Sequence, residues 1–312
     1  MASVELERVA TAPGKPTDLS AVDVLNISAL LLLAGVVAIE QRALGSLAPA
    51  LLATFATLLL AIALLAFLST HGETWRLLHE FSSIVMVITV FSLLGPIIDN
   101  INPDRWDLAL ARIDVALFGH PAGAWRALLG RPGWFVDLAY LLYLSYFFVP
   151  FILAIVAYRL QSAYAFRELV FTIVLTFYLS YLGYMLFPTL GPRVPPEAQS
   201  LAIGGGAVSD LARQFLGWAE QNPTDAFPSG HTAVALLCLI RARRVSARLS
   251  RIYVPLVIGI IFSTVYLHYH YVVDVLGGAA LACAGAWLGP RLEPWCEPRW
   301  MMDRLGIDLG IR

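Results

Sequence analysis

Several stretches of about 20 residues contain almost no charged side chain, and this pattern constrains the fold more than any other. One of them is PALLATFATLLLAIALLAFL, residues 49–68. A helix of this length crosses the roughly 30 Å of hydrocarbon in a bilayer. The chain is 59% hydrophobic and 14% charged, whereas a soluble domain has roughly 25% charged residues. The sequence therefore predicts an all-α, polytopic membrane protein.

The apolar runs predict eight membrane spans, the sixth of them short and extended into the basic loop that follows it. The spans are expected at residues 21–39, 49–68, 81–98, 134–157, 169–187, 230–241, 252–269 and 272–289. No soluble domain interrupts them. We expect three parts: an N-terminal segment without signal-peptide character at 1–20, one transmembrane catalytic domain at 21–290, and a tail at 291–312.

The distribution of basic residues predicts how these spans are oriented. With the N-terminus inside, 14 of the 21 arginines and lysines fall on the inner side, five of them in the loop RARRVSARLSR at 241–251. Short cytoplasmic loops carry an excess of basic residues. Both termini are therefore expected in the cytoplasm. The net charge of −1 gives no indication of nucleic-acid binding, and the three cysteines lack metal-type spacing.

Two longer segments fall on the predicted outer face. Within residues 99–133, large apolar side chains recur at helical spacing, which is typical of an amphipathic helix lying in the membrane interface: Trp106, Leu110, Ile113 and Leu117. Residues 188–228 are rich in glycine and proline and lead into the sequence FPSGHT.

Six polar residues lie at the outer ends of the last four spans, where ionisable groups at membrane depth indicate function. They are Arg193, Ser229, His231, His268, His270 and Asp274. Together they include a cation, a helix-start serine, three histidines and a carboxylate. This combination is expected of one site rather than of scattered interfacial residues.

The types of these residues and their expected positions on the helices predict phosphoryl transfer. Ser229 and Gly230 begin an apolar helix whose free N–H groups can bind an anion, and His231 in the first turn is placed to act as an acid. His270 and Asp274 are four apart, so on a helix they share one face, where the carboxylate would orient the imidazole as a nucleophile.

Each of these features has a simpler interpretation when it is taken alone. PSGH is also a capped helix start, and HxxxD is also an interfacial hydrogen-bonded pair. A lipid-binding or transport protein is a second possibility, and a metal centre of His231, His270 and Asp274 is a third. We assign no role at the site to His71, His79 and His120, nor to the tyrosines of YLLYLSYFF and YLSYLGY.

FPSGHT followed by STVYLHYHYVVDVLGG resembles the type 2 phosphatidic acid phosphatase superfamily of membrane lipid phosphatases and phosphotransferases. The resemblance implies a six-helix phosphatase-type core, of which the motif-bearing part is at 134–290. It implies that His270 is the nucleophile, Asp274 its partner and His231 the acid for the leaving group. Phosphate would be bound by Arg193, Ser229 and Gly230. No cofactor or metal is implied, and the partner is a lipid phosphate or phospholipid substrate.

The sequence departs from the superfamily motifs at three positions. A motif arginine is replaced by Thr264, a motif lysine by Leu186 and a motif proline by Val194, and His268 is a candidate replacement for a missing cation. The looser pattern is similar to the inositol phosphorylceramide synthase branch, which moves phospho-headgroups between lipids. We therefore expect transfer to an alcohol, with hydrolysis by the same residues as the alternative.

Overall fold

The computed structural model describes residues 19–192, 204–219 and 222–298, and this part of the chain is helical, with no β-strand. In chain order the helices are α1 (Ala21–Ile39), α2 (Gln41–Leu44), α3 (Leu47–Leu68), α4 (Glu73–Ile101), α5 (Asp107–Phe118), α6 (Pro121–Leu129), α7 (Gly133–Ser145), α8 (Val149–Leu160), α9 (Ala163–Leu186), α10 (Ala207–Ala219), α11 (Gly230–Val245), α12 (Ala247–Tyr266) and α13 (Val272–Cys296). A 3₁₀ turn, Ser69–His71, continues α3.

Six of these helices are long and apolar enough to cross a membrane, which confirms a multi-pass membrane protein. They are α1, α3 with its 3₁₀ turn, α4, α9, α12 and α13. The predicted span at 134–157 is instead broken into α7 and α8, which meet at an angle of 47°. Pro150 lies in the first turn of α8, where its missing N–H suits a new helix start better than a helix interior.

The remaining predicted span is α11, which extends into the basic loop as expected. Its 16 residues measure about 24 Å, less than the hydrocarbon thickness. Helices α8, α9, α12 and α13 all pack against it, so it is shielded from lipid. Its buried Arg241 is paired with Glu168 of α9, since a buried cation requires a partner.

Small residues allow α13 to approach its neighbours closely. A Cβ atom at Gly278 would be 2.8 Å from Cβ of Thr232 on α11, and a side chain at Gly285 or Gly289 would collide with the threonines of α9. Close approach through small residues is a general way of packing helices in membranes. Helix α13 is therefore packed closely against both α11 and α9. The two helices that bear motif residues, α11 and α13, are in direct contact.

Helices α1, α3 and α4 form a second apolar cluster that packs on α9 through Tyr181 and Tyr184. Many large apolar side chains of the bundle remain exposed, among them Leu32, Leu60 and Ile258. These exposed faces are suited to lipid rather than water.

Candidate active site

The start of α11 is held by hydrogen bonds at Ser229. The Ser229 hydroxyl accepts a hydrogen bond from the Thr232 N–H at 3.2 Å, and the Ser229 N–H donates to the backbone carbonyl of Asp274 at 3.0 Å. The Phe227–Pro228 peptide is cis. Gly230 lies so close to the Tyr184 hydroxyl that a Cβ atom would collide with it. The helix N-terminus of the motif is therefore fixed directly to the start of α13.

His270 lies in the loop between α12 and α13, and two contacts fix its position. Its backbone N–H donates to the carbonyl of Thr264 at 3.1 Å, and its Nδ1 is 2.9 Å from the carbonyl oxygen of Ala226. A carbonyl oxygen can only accept a hydrogen bond, so this contact places the proton on Nδ1. In the neutral ring Nε2 then carries the lone pair that a nucleophile needs.

Asp274 lies beside His270, but not because the two residues share a helix face. Helix α13 begins at Val272, so His270 precedes it and the expected helical i, i+4 geometry is wrong. Asp274 instead folds back over the first turn: its Oδ2 accepts the Tyr271 N–H at 2.8 Å and lies 3.5 Å from His270 Nδ1. Its Oδ1 is buried with no hydrogen-bond partner in the described part of the chain.

His231 faces the same loop from α11. The centroids of the His231 and His270 rings are 5.6 Å apart. The rings of Tyr143 and Tyr146 pack on His231, with centroids 4.4 and 4.2 Å away. Both tyrosines were expected to be core or interfacial residues only. Nothing in their sequence spacing indicated that they would contact His231. They surround the histidine because the break between α7 and α8 occurs beside it.

A cavity of about 280 Å³ lies between the loop that carries His270 and the segment from α5 to the turn after α6. His270 is part of its wall. His268, also in the loop, lines the cavity, together with three residues for which the sequence predicted no role at the site: His120, Arg126 and Arg131. The two arginines come from α6 and the turn that follows it. The cavity therefore brings two cations next to the candidate nucleophile.

His268 adopts a left-handed backbone conformation with φ of +69°, which a non-glycine residue rarely does. Burial, and secondarily the positive charge of Arg126, lower the pKa of His268 to about 4. At neutral pH this side chain is therefore an uncharged hydrogen-bonding group. It does not supply the positive charge that was expected of it as a replacement for a missing cation.

The amphipathic helix expected within residues 99–133 is α5, and it holds both loops of the site. Asp107 accepts the N–H groups of Leu190 and Gly191 at 3.1 and 2.9 Å, and Asp114 accepts the N–H of Val273 at 2.9 Å. Burial raises the pKa of Asp114. The sequence analysis gave these aspartates no role, although their seven-residue spacing, which puts both on one helix face, was a signal for it.

The remaining motif positions are Arg193, Leu186 and Thr264, and the question at each is whether it supplies a positive charge to the site. Arg193 lies outside the described residues. Leu186 is 55% exposed, and Thr264 is fully buried with its hydroxyl donating to the carbonyl of Ile261 at 2.7 Å. Neither replacement can act as a cation. In the described ranges no group of three or more His, Cys, Asp or Glu residues is arranged to hold a metal ion, so His231, His270 and Asp274 are not placed as metal ligands.

Two histidines thus face each other at one end of a multi-pass helical bundle, one in the first turn of α11 and the other in the loop before α13. The model of the PAP2 superfamily matches residues 108–288, more than half of the chain, and the chain belongs to this superfamily. It is thus a lipid phosphatase or phosphotransferase-type enzyme, rather than the transport protein considered above. Neither the curated proteins nor the solved structures include a significant match.

Proposed function

We propose that the protein is a lipid phosphotransferase that moves a phosphoryl or phospho-headgroup from a phospholipid donor to an alcohol acceptor through phospho-His270. The observation that carries the proposal is the contact of His270 Nδ1 with the carbonyl of Ala226, because it leaves Nε2 as the basic nitrogen. The ring centroid of His231 is 5.6 Å from that of His270, so both side chains can contact the same phosphoryl group.

In the first step, the Nε2 lone pair of His270 attacks the phosphorus of the donor. The bond between phosphorus and the leaving oxygen breaks, and the departing alkoxide takes a proton from protonated His231. The N–H groups at Ser229 and Gly230 and the side chains of Arg193 and His268 would bind the phosphate oxygens. The products are phospho-His270 and a free alcohol.

In the second step, the hydroxyl of the acceptor gives its proton to His231 and attacks the same phosphorus. The P–N bond breaks and its electron pair returns to Nε2, which restores the resting site. The buried carboxylate of Asp274, 3.5 Å from Nδ1, stabilises the positive charge that the imidazole carries in both steps. Histidine and carboxylate thus act as one unit.

Transfer rather than hydrolysis is supported by the departures at Leu186 and Thr264, which remove two cations of the phosphatase motifs, and by the similarity to the inositol phosphorylceramide synthase branch. We further propose that residues 21–290 are the catalytic domain, with both termini in the cytoplasm and the site on the opposite face.

Product identification tests the proposal. The purified protein would be incubated with phospholipids labelled at phosphorus, with and without inositol or another alcohol. We expect labelled phosphorus in the acceptor product only when the alcohol is present, and no product with His270→Ala. Free phosphate as the product under every condition would identify a lipid phosphate phosphatase and contradict the transferase assignment.

A further inference from the structure

A second cavity, of about 250 Å³, lies at the end of the bundle opposite the candidate active site. It is formed by the last turn of α11 and the first two turns of α12, and we call it the basic cavity. Its lining residues are Arg243, Ala247, Ser250, Arg251 and Val254. None of them is at a motif position of the superfamily, and the phosphoryl-transfer steps do not involve them.

The positive charge at the basic cavity has no counterpart in its own segment of the chain. Residues 226–273 contain five arginines and no aspartate or glutamate. One of the five, Arg241, is paired with Glu168. The exposed side chains of Arg243 and Arg251, by contrast, make no ion pair or hydrogen bond with the described residues. Like charges that line one cavity attract anions, so the basic cavity presents two guanidinium groups to an anionic ligand.

Ser250 provides an independent indication of a ligand. It is only 6% exposed and lines the basic cavity, yet its hydroxyl makes no hydrogen bond in the part of the chain that the structure describes. In other helices the hydroxyls of Ser28 and Thr89 donate to the backbone carbonyl four residues earlier, as serine and threonine commonly do. A buried hydroxyl without a partner is unfavourable, so an acceptor oxygen inside the cavity is expected to bind it.

The face of α12 that forms the basic cavity continues into side chains suited to lipid. Arg251, Val254 and Ile258 are spaced by three and four residues, so they share one helix face. Val254 is 41% and Ile258 62% exposed, and α12 is one of the helices able to cross a membrane. A headgroup at Arg251 would therefore have an apolar surface for its acyl chains on the same helix. This combination fits a phospholipid better than a soluble phosphate.

We propose that the basic cavity binds an anionic phospholipid from the leaflet at this end of the bundle, at a site separate from the candidate active site. Arg243 and Arg251 would bind the phosphate through their guanidinium groups, and Ser250 would donate to one of its oxygens. The acyl chains would pack on Val254 and Ile258. Basic pockets between membrane helices are general sites for anionic headgroups. The lipid is bound here and not converted, so the proposal does not depend on the phosphoryl-transfer chemistry.

Titration with defined lipids tests the site. Purified protein in detergent would be titrated with phosphatidylglycerol, which is anionic, and with phosphatidylcholine, which has the same phosphate and acyl chains but no net charge. Native mass spectrometry would measure the fraction of protein that carries lipid. We expect phosphatidylglycerol to bind at least about fivefold more tightly than phosphatidylcholine. Arg243→Gln and Arg251→Gln should each weaken its binding about fivefold, and Ser250→Ala about threefold or more.

Arg248→Gln is the matched control, because Arg248 is an exposed arginine of the same helix that does not line the basic cavity. This change should leave phosphatidylglycerol binding nearly unaltered. Lipid bound at the candidate active site, at the other end of α11, is common to all the variants and cancels in their comparison. Because Arg243 and Arg251 are exposed, replacing them should leave the fold intact.

Three results would overturn the proposed site. Equal losses in Arg248→Gln and in the two cavity variants would show a diffuse electrostatic attraction rather than a binding site. Unaltered binding in Arg243→Gln, Arg251→Gln and Ser250→Ala would show that the lipid does not contact this cavity. Displacement of phosphatidylglycerol by an equal concentration of inorganic phosphate would identify a site for free phosphate instead of a lipid.

Discussion

At the scale of single residues, the site depends on hydrogen bonds between side chains and loop backbone. The carbonyl of Ala226 selects the tautomer of His270, and the same stretch of chain continues into Ser229 and His231. The proposed nucleophile is therefore oriented by the segment that also carries the proposed acid. Asp274 adds a buried charge and fixes the start of α13.

The role of His231 as the acid can be separated from a structural role by varying the leaving group. His231→Gln should lower turnover of a phospholipid by about two to four orders of magnitude, because the departing alkoxide must be protonated. A donor with a nitrophenolate leaving group needs no proton, so its turnover should fall by less than about tenfold.

The measurement is the rate of the first turnover with each donor, for wild type and variant. Tyr143→Phe is the control, since it keeps the ring that packs on His231 and should affect both donors equally. An equal loss with both donors in His231→Gln would show that this histidine acts by packing and not as an acid.

At the scale of elements, short polar contacts from α5 and close packing of α13 hold the site together. Helix α5 binds the loop before Arg193 through Asp107 and the start of α13 through Asp114. Helix α13 then meets α11 at Gly278, opposite the carbonyl of Ser229. An apolar bundle can thus present an ordered polar site at one end.

Gly278→Ala tests this contact. The added methyl group would collide with the Ser229 carbonyl and lie 2.8 Å from Thr232 Cβ, so α11 and α13 must separate. We expect a loss of about 1–3 kcal/mol in stability and a marked loss of turnover, measured by thermal unfolding and product formation.

Gly217→Ala on α10 is the matched control, because its Cβ atom meets nothing within 4 Å. This change should leave activity intact and raise stability by up to about 1 kcal/mol, because alanine is the better helix former. Equal effects of the two substitutions would contradict the account of the packing at Gly278.

At the scale of the whole molecule, the bundle has two different ends. His231 lies at the start of α11 and Arg243 and Arg244 at its end, so the candidate site and the basic loop are separated by the length of that helix. The excess of basic residues predicts that the loop is cytoplasmic.

Cysteine labelling tests this orientation. In a background with Cys238, Cys283 and Cys296 replaced by alanine, Arg112→Cys and Arg244→Cys would each introduce one exposed thiol. A membrane-impermeant thiol reagent added to intact cells should label position 112, and position 244 only after lysis. The reverse pattern would place the site on the cytoplasmic face.

The sequence was sufficient for the features that depend on local pattern. Runs of apolar residues predicted the six long spans, and the resemblance to the superfamily identified FPSGHT and HYHYVVD as paired motifs. It was insufficient where backbone geometry decides: the break after Ser145, and the start of α13 at Val272 rather than before His270. The contact of Arg126 with the carbonyl of Tyr266, 140 residues away, was also missed, because no local pattern encodes it.

His270 is proposed to carry the phosphoryl group, and trapping within a single turnover would detect that intermediate. Purified protein would be mixed with a phospholipid labelled at phosphorus, without an alcohol acceptor, quenched within one turnover and digested for peptide analysis. We expect label on the peptide containing His270, its loss in His270→Ala, and its removal when the acceptor alcohol is added before the quench. Turnover with no labelled protein, or label at another residue, would show that His270 does not carry the phosphoryl group.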